Sequence, residues 1–364
     1  MEFDENRTVS DICGDADTSS LALARRENNT KRTYLIVNKR QGKHFPCDPA
    51  DTLKYFEELG RLVAEDCIGE NVVVIGFAET ATAIGAGVAS CIPNSTYYHT
   101  TREEVKALEI VTFKEEHSHA VNQALYSRDG DFTKFDRIVF VEDEVTTGKT
   151  INNFLAALKP LLREDVKISV ASLVNGFGAS NEIKFGVSYY YLYKLNDINL
   201  AKKADAYSNF NKDTEYVPAE NAEIRHIGGM KNPREGVVFA DYLCACKELF
   251  IDNISGSVLV VGTEEFMYPA LLLAKNIGGD VKFQATTRSP ILPCSERGYP
   301  LFSRYVLRSC YDGERKTYIY NLAKYDNVVI VTDAKEGKRG LCDLCGALQS
   351  AGNTNITIYS WELR

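Results

Sequence analysis

Residues 138–150 read IVFVEDEVTTGKT, and the fold turns on what the Gly-Lys-Thr ending is attached to. A P-loop curls its backbone around two phosphates and needs a glycine five positions before the Gly-Lys pair. Asp143 stands there instead, next to Glu142. Two carboxylates repel a triphosphate, and nothing at that point permits the tight turn. Adjacent acids suit a neutral vicinal diol, such as the 2- and 3-hydroxyls of a ribose, or a metal-bound form of it. Ile138–Val141 is a continuous apolar run of the kind that forms a buried parallel strand, and Ile151–Leu158 carries apolar residues at helical spacing. Thr146–Thr150 is therefore a strand-to-helix turn. Its amides, with the hydroxyls of Thr146, Thr147 and Thr150, can surround one phosphate monoester. An ordinary βα turn with a capping threonine would not account for the acid pair and the loop together.

The rest of the chain bounds this reading. With 364 residues, 25% of them charged, the chain has room for two domains of ordinary size. A net charge of -8 gives no general basic field, so a nucleic-acid partner is not expected. No apolar run approaches the roughly 20 residues of a membrane span. The polar start MEFDENRTVSDICGDADTSS lacks the basic-then-apolar pattern of a leader, so the expectation is a cytoplasmic protein with no membrane partner. Ten cysteines are scattered, and a reduced thiol in an apolar stretch behaves as a small core residue. Cys244, Cys246, Cys342 and Cys345 raise the alternative of a four-thiolate zinc site, set against simple packing of two helices.

Strand and helix patterns alternate from about residue 31 to 200 and again from 236 to 364, the mark of α/β domains with parallel sheets. The expected division is a polar tail over 1–30, a first domain with an N-terminal hood over 31–200, a linker over 201–235 and a second domain over 236–364. The two halves repeat one another. VVVIGFAETATAIGAGVA at 72 matches VLVVGTEEFMYPALLLA at 258 with an offset of 186, and the same offset carries Thr100, Thr101 and Arg102 onto Thr286, Thr287 and Arg288. KFDRIVFVEDE then matches KYDNVVIVTDA at an offset of 190. In the second half Thr332 replaces Glu142, and only Asp333 remains of the acid pair.

The stretch IVFVEDEVTTGKT resembles the PRPP-binding motif of the type I phosphoribosyltransferases, where PRPP is 5-phosphoribosyl 1-diphosphate. TTRSP at 286–290 resembles a domain named for Thr-Arg-Ser-Pro, which follows a phosphoribosyltransferase domain in bacterial proteins of tellurite-resistance and stress gene neighbourhoods. The resemblance implies a type I phosphoribosyltransferase-like parallel sheet flanked by helices, followed by a second, degenerate α/β domain of the same kind. It further implies a Mg2+-dependent enzyme that joins PRPP to a base-like acceptor in the biosynthesis of a nucleotide-like metabolite. The alternative is a non-catalytic protein that senses PRPP or a nucleotide. The second domain would supply a lid, a homodimer surface or a second ligand site.

Carried onto this sequence, the family's motifs give Glu142 and Asp143 the ribose, and Mg2+ through PRPP. Val145, Thr146, Thr147, Gly148, Lys149 and Thr150 take the 5-phosphate. Phe77, Ala78, Glu79 and Thr80, in the loop after Gly76, fall to the pyrophosphate with Arg102, whose planar fork of donors suits it. FKEEHSHAVNQAL lies where the family carries a closing loop, and there Lys114, His117 and His119 are the catalytic candidates. In the second half Glu265, Thr287, Arg288, Ser289 and Asp333 are expected to form a pocket for an anion or the downstream product.

Overall fold

The computed structural model describes residues 10–13, 18–29, 32–113, 123–176, 187–195, 199–248, 251, 254–335 and 338–363. The strands of the first half are β1 (Ser10–Cys13), β2 (Leu21–Arg25), β3 (Tyr34–Asn38), β4 (Val72–Gly76), β5 (Thr96–His99), β6 (Leu108–Phe113), β7 (Gln123–Ser127), β8 (Arg137–Val145), β9 (Lys167–Asn175) and β10 (Val187–Lys194). Those that follow are β11 (Ile224–Met230), β12 (Val237–Val238), β13 (Val258–Gly262), β14 (Val281–Ala285), β15 (Arg304–Arg308), β16 (Lys316–Tyr320), β17 (Asn327–Thr332) and β18 (Ile356–Leu363). The helices are α1 (Pro49–Ala64), α2 (Thr82–Ala89), α3 (Lys149–Leu158), α4 (Leu200–Asp205), α5 (Phe239–Lys247), α6 (Tyr268–Ile277) and α7 (Lys338–Ser350).

The chain forms two compact units that do not follow its linear order. Unit one takes Met1–Asp17, Lys54–Asn196 and Lys231–Cys244, and unit two takes Thr18–Leu53, Asp197–Met230 and Ala245–Arg364. Unit one holds a sheet in the order β1-β10-β9-β8-β4-β5-β12, parallel except for β12. Val72 to Gly76 of its central β4 are all buried, because helices covering both faces of a parallel sheet leave no wet side. Ile151, Phe154, Leu155 and Leu158 of α3 are buried at helical spacing. Phe154 and Phe77 meet edge to face at 5.2 Å between ring centroids.

Unit two holds a parallel sheet in the order β11-β18-β17-β13-β14. Its run β18-β17-β13-β14 repeats β9-β8-β4-β5, and the register repeats too. Val73 faces Thr96 and Leu259 faces Lys282, while Gly76 faces Val141 and Gly262 faces Val331. Each unit adds an antiparallel hairpin after the strand that carries its Thr-Thr-Arg, β6–β7 in one and β15–β16 in the other.

Three expected boundaries change. The polar start contributes β1, parallel to β10 at the sheet edge, and the expected linker contributes β11 at the edge of the second sheet. Edge strands can be polar, which is why neither reads as a strand. The expected hood belongs to unit two: β2 and β3 form a hairpin, Ala24 and Val37 share an apolar cluster with Ile291, Leu301 and Tyr320, and Cys47 bridges to Phe283.

Candidate active site

In an open parallel sheet, ligands sit beyond the carboxyl ends of the strands where the strand order reverses. In unit one that point lies between β4 and β8. Glu142 and Asp143 lie half-buried near the end of β8, joined by a third half-buried acid, Glu144, whose amide donates to Asp143 Oδ1 at 2.9 Å. The chain then turns through half-buried Thr146 and Thr147 into Gly148, which heads α3 with φ 66°. That left-handed conformation favours glycine, and it lets the backbone wrap back onto the start of the helix. The Lys149 side chain is exposed and Thr150 half-buried. Gly176, after β9, closes the other side: a Cβ there would lie 3.0 Å from Thr146 Cγ2.

The loop after β4 is built by close contacts. A Cβ on Gly76 would sit 2.6 Å from the Ala81 carbonyl, so only glycine fits. Thr100 N donates to Gly76 O at 2.9 Å, and Thr100 Oγ1 accepts from Ala78 N at 2.8 Å. Glu79 is buried, Thr80 is half-buried, and half-buried Arg102 follows Thr101, whose amide and carbonyl are both paired with Ala124.

Two of the expected pyrophosphate-loop amides are engaged within the protein: the Phe77 amide donates to Val141 O, with its ring in the core, and the Ala78 amide donates to Thr100 Oγ1. The Val145 side chain also lies in the core. Lys114, His117 and His119 lie outside the described residues. Two further side chains escaped the sequence reading. Gln123 Nε2 donates to Ala78 O at 2.8 Å, and the buried Arg234, from the segment after β11, donates from Nε to Thr101 Oγ1 at 3.2 Å.

Unit two reproduces this frame. Thr286 N donates to Gly262 O at 3.0 Å, Glu264 N to Thr286 Oγ1 at 3.0 Å, and Thr287 pairs both ways with Tyr318. Of the five expected pocket residues, Glu265 and Arg288 are joined by an ion pair and Asp333 is held by a tyrosine hydroxyl. Arg288 Nε donates to Glu264 Oε2 at 2.5 Å and its Nη2 to Glu265 Oε1 at 3.1 Å. Arg315 reaches Glu264 at 3.4 Å, Ser309 donates to Glu264, and Tyr311 donates to Asp333 at 2.5 Å. Thr287 Oγ1 accepts from the Ser289 amide at 3.2 Å. Fully buried Lys43 donates to the carbonyls of Glu264 at 3.3 Å and Thr286 at 3.5 Å. The equivalent carbonyls in unit one, those of Ala78 and Thr100, are met by Gln123 and by the His99 ring, whose Nδ1 must carry the proton.

For the cysteine cluster, Cys345 lies in the core cluster that also holds Leu344 and Leu348, burial pushes its thiol up to about 12, and among the described residues the cysteines are not gathered into a group of three or more metal-ligating side chains.

Residues 21–188 match the family model described as phosphoribosyl transferase, and residues 239–348 match the one described as TRSP domain C terminus to PRTase_2. No curated protein matches the sequence. Among solved structures the chain is similar to an adenine phosphoribosyltransferase from Giardia lamblia in complex with 9-deazaadenine, with 14% identity over 51% of this chain and 100% of that one and a TM-score of 0.36. It is also similar to an adenine phosphoribosyltransferase from Rhodothermus marinus, at 11% identity, 49% and 96% coverage and a TM-score of 0.34. A hypoxanthine-guanine phosphoribosyltransferase from Bacillus anthracis matches at 15% identity, 40% and 77% coverage and a TM-score of 0.28. The chain thus carries, in this order, a segment similar to the phosphoribosyl transferase family and a segment similar to the TRSP domain.

Proposed function

We propose that unit one is a Mg2+-dependent phosphoribosyltransferase, which moves the phosphoribosyl group of PRPP onto a base-like acceptor to make a nucleotide-like product. The observation that carries this reading is the order of groups along one strand end: the carboxylates Glu142 and Asp143, then a glycine-headed turn of threonines at the start of α3. The turn fixes the 5-phosphate through amides and hydroxyls, and the acids take the ribose hydroxyls, so binding energy far from the anomeric carbon positions it. As the bond from that carbon to pyrophosphate breaks, the leaving group takes the electron pair and positive charge grows on the sugar. Glu142 and Asp143 oppose that charge, while the acceptor nitrogen forms the new bond. Arg102 holds the departing pyrophosphate. The acid pair offers the hard oxygen donors that Mg2+ takes; when bound, the ion would neutralise the diphosphate. Among the described residues no group of three or more His, Cys, Asp or Glu side chains is placed to enclose a metal.

The test is pyrophosphate release from PRPP and Mg2+ with a panel of purine, pyrimidine and small aromatic acceptors. One class of acceptor should release it from the wild type, and the double variant Glu142→Ala, Asp143→Ala should be slower by at least ~100-fold. Equal rates in the two proteins would refute the assigned roles.

A further inference from the structure

Arg102 and Arg288 leave equivalent strand ends, and among the differences between the loops facing them one is a charge. Unit one has Ala78 and then Glu79, where unit two has Glu264 and then Glu265. The residue that gains a carboxylate is the one whose amide is fixed in both units by the threonine two positions before the arginine. Buried Glu264 has φ 47°, a conformation that side-chain-bearing residues rarely adopt. Its carboxylate collects Arg288, Arg315 and the hydroxyl of Ser309. Ser309 and Arg315 flank the connection between β15 and β16, and Ser309 Oγ also accepts from Arg315 Nη2 at 3.1 Å and from the amide of Tyr311 at 3.0 Å. Two guanidinium groups and a hydroxyl around one carboxylate are the donor set that a phosphate oxygen would attract.

We propose that Glu264 is a built-in anion. It takes in unit two the place that an external phosphate or diphosphate oxygen would take, and it latches the Ser309–Arg315 connection over the strand ends. Position 264 then decides whether the unit-two site accepts an anionic ligand: glutamate fills the place, and a side chain without the carboxylate opens it. Unit two keeps the frame of a ligand site in a permanently closed form. The inference rests on the repeat geometry and not on the reaction assigned to unit one.

The test replaces the internal anion with an external one. In the full chain, Glu264→Ala should expose the Ser309–Arg315 connection, so that trypsin cleaves after Arg315 at least ~10-fold faster than in the wild type. Inorganic pyrophosphate should restore protection to within about 2-fold of the wild type, and raise the variant's melting temperature by roughly 5 °C at ~100 times its dissociation constant. Sodium chloride of matched ionic strength should do neither. Glu264→Gly removes the carboxylate and suits the φ of 47° at this position, and should show the same pyrophosphate-specific rescue if the alanine variant does not fold unaided. Cleavage and melting that respond to pyrophosphate no more than to chloride, in both variants, would overturn the proposal. Because the cleavage site belongs to unit two, that failure would leave the reading of unit one standing.

Discussion

Arg288 shows how a residue can repeat a motif and lose its office. In sequence it is the twin of Arg102 and a candidate anion binder; in the structure its side chain is 8% exposed and bonded to two glutamates whose side chains are 1% exposed. Removing one side of a buried ion pair leaves the other side uncompensated in a medium that solvates it poorly. Arg288→Ala should therefore lower the stability of unit two by about 3 kcal/mol, seen as an earlier urea midpoint by circular dichroism. An unchanged midpoint would return Arg288 to the role of a ligand-facing residue. The sequence could not separate the two outcomes, because the deciding neighbours, Ser309 and Arg315, come from a hairpin with no recognisable spacing to Glu264.

At the scale of elements, what was legible follows the strength of each periodic pattern. The apolar strands VVVIG and VLVVG, the amphipathic α3 and the repeat at offsets 186 and 190 were all readable, because central parallel strands and half-buried helices must be apolar in fixed periods. Edge strands β1 and β11 were not, nor was the allegiance of the β2–β3 hairpin, since pairing partners far along the chain leave no local mark. That hairpin and the loop after it bring Ala24, Val37 and Lys43 into unit two, where all three are fully buried. The same segment adds buried Cys47 and Leu53, with Leu35 and Phe45 packed against the cluster, so at about 2 kcal/mol for each large apolar side chain its loss removes most of a total stability of order 10 kcal/mol. A fragment of residues 197–364 should show no cooperative thermal transition alone and regain one when a peptide of residues 18–53 is added. A cooperative melt of the fragment alone, unchanged by the peptide, would show that the segment is dispensable.

Across the whole molecule, one sheet plan has been used twice with different side chains at the strand ends. Unit one sets acids, a glycine-headed turn of threonines and an arginine there; unit two sets Arg288 and Arg315 on Glu264 and Glu265, Lys43 on two backbone carbonyls and Tyr311 on Asp333. Among the described residues no helix is long and apolar enough to cross a membrane. The strand, the acid pair and the glycine-headed turn were legible from thirteen residues, because an apolar run followed by acids and a Gly-Lys-Thr helix start leaves a local mark. The acceptor was not, since bases are read by surfaces assembled from several loops. The central claim is that the end of β8 and the start of α3 bind a phosphorylated ribose diphosphate. Calorimetric titration of the full chain with PRPP and Mg2+, beside the Glu142→Ala, Asp143→Ala variant with its fold checked by circular dichroism, tests it most directly. The account predicts one saturable site per chain in the wild type and at least ~100-fold weaker binding in the variant, a loss of about 2.7 kcal/mol. Equal affinity in the two proteins, or no binding by the wild type, would contradict it.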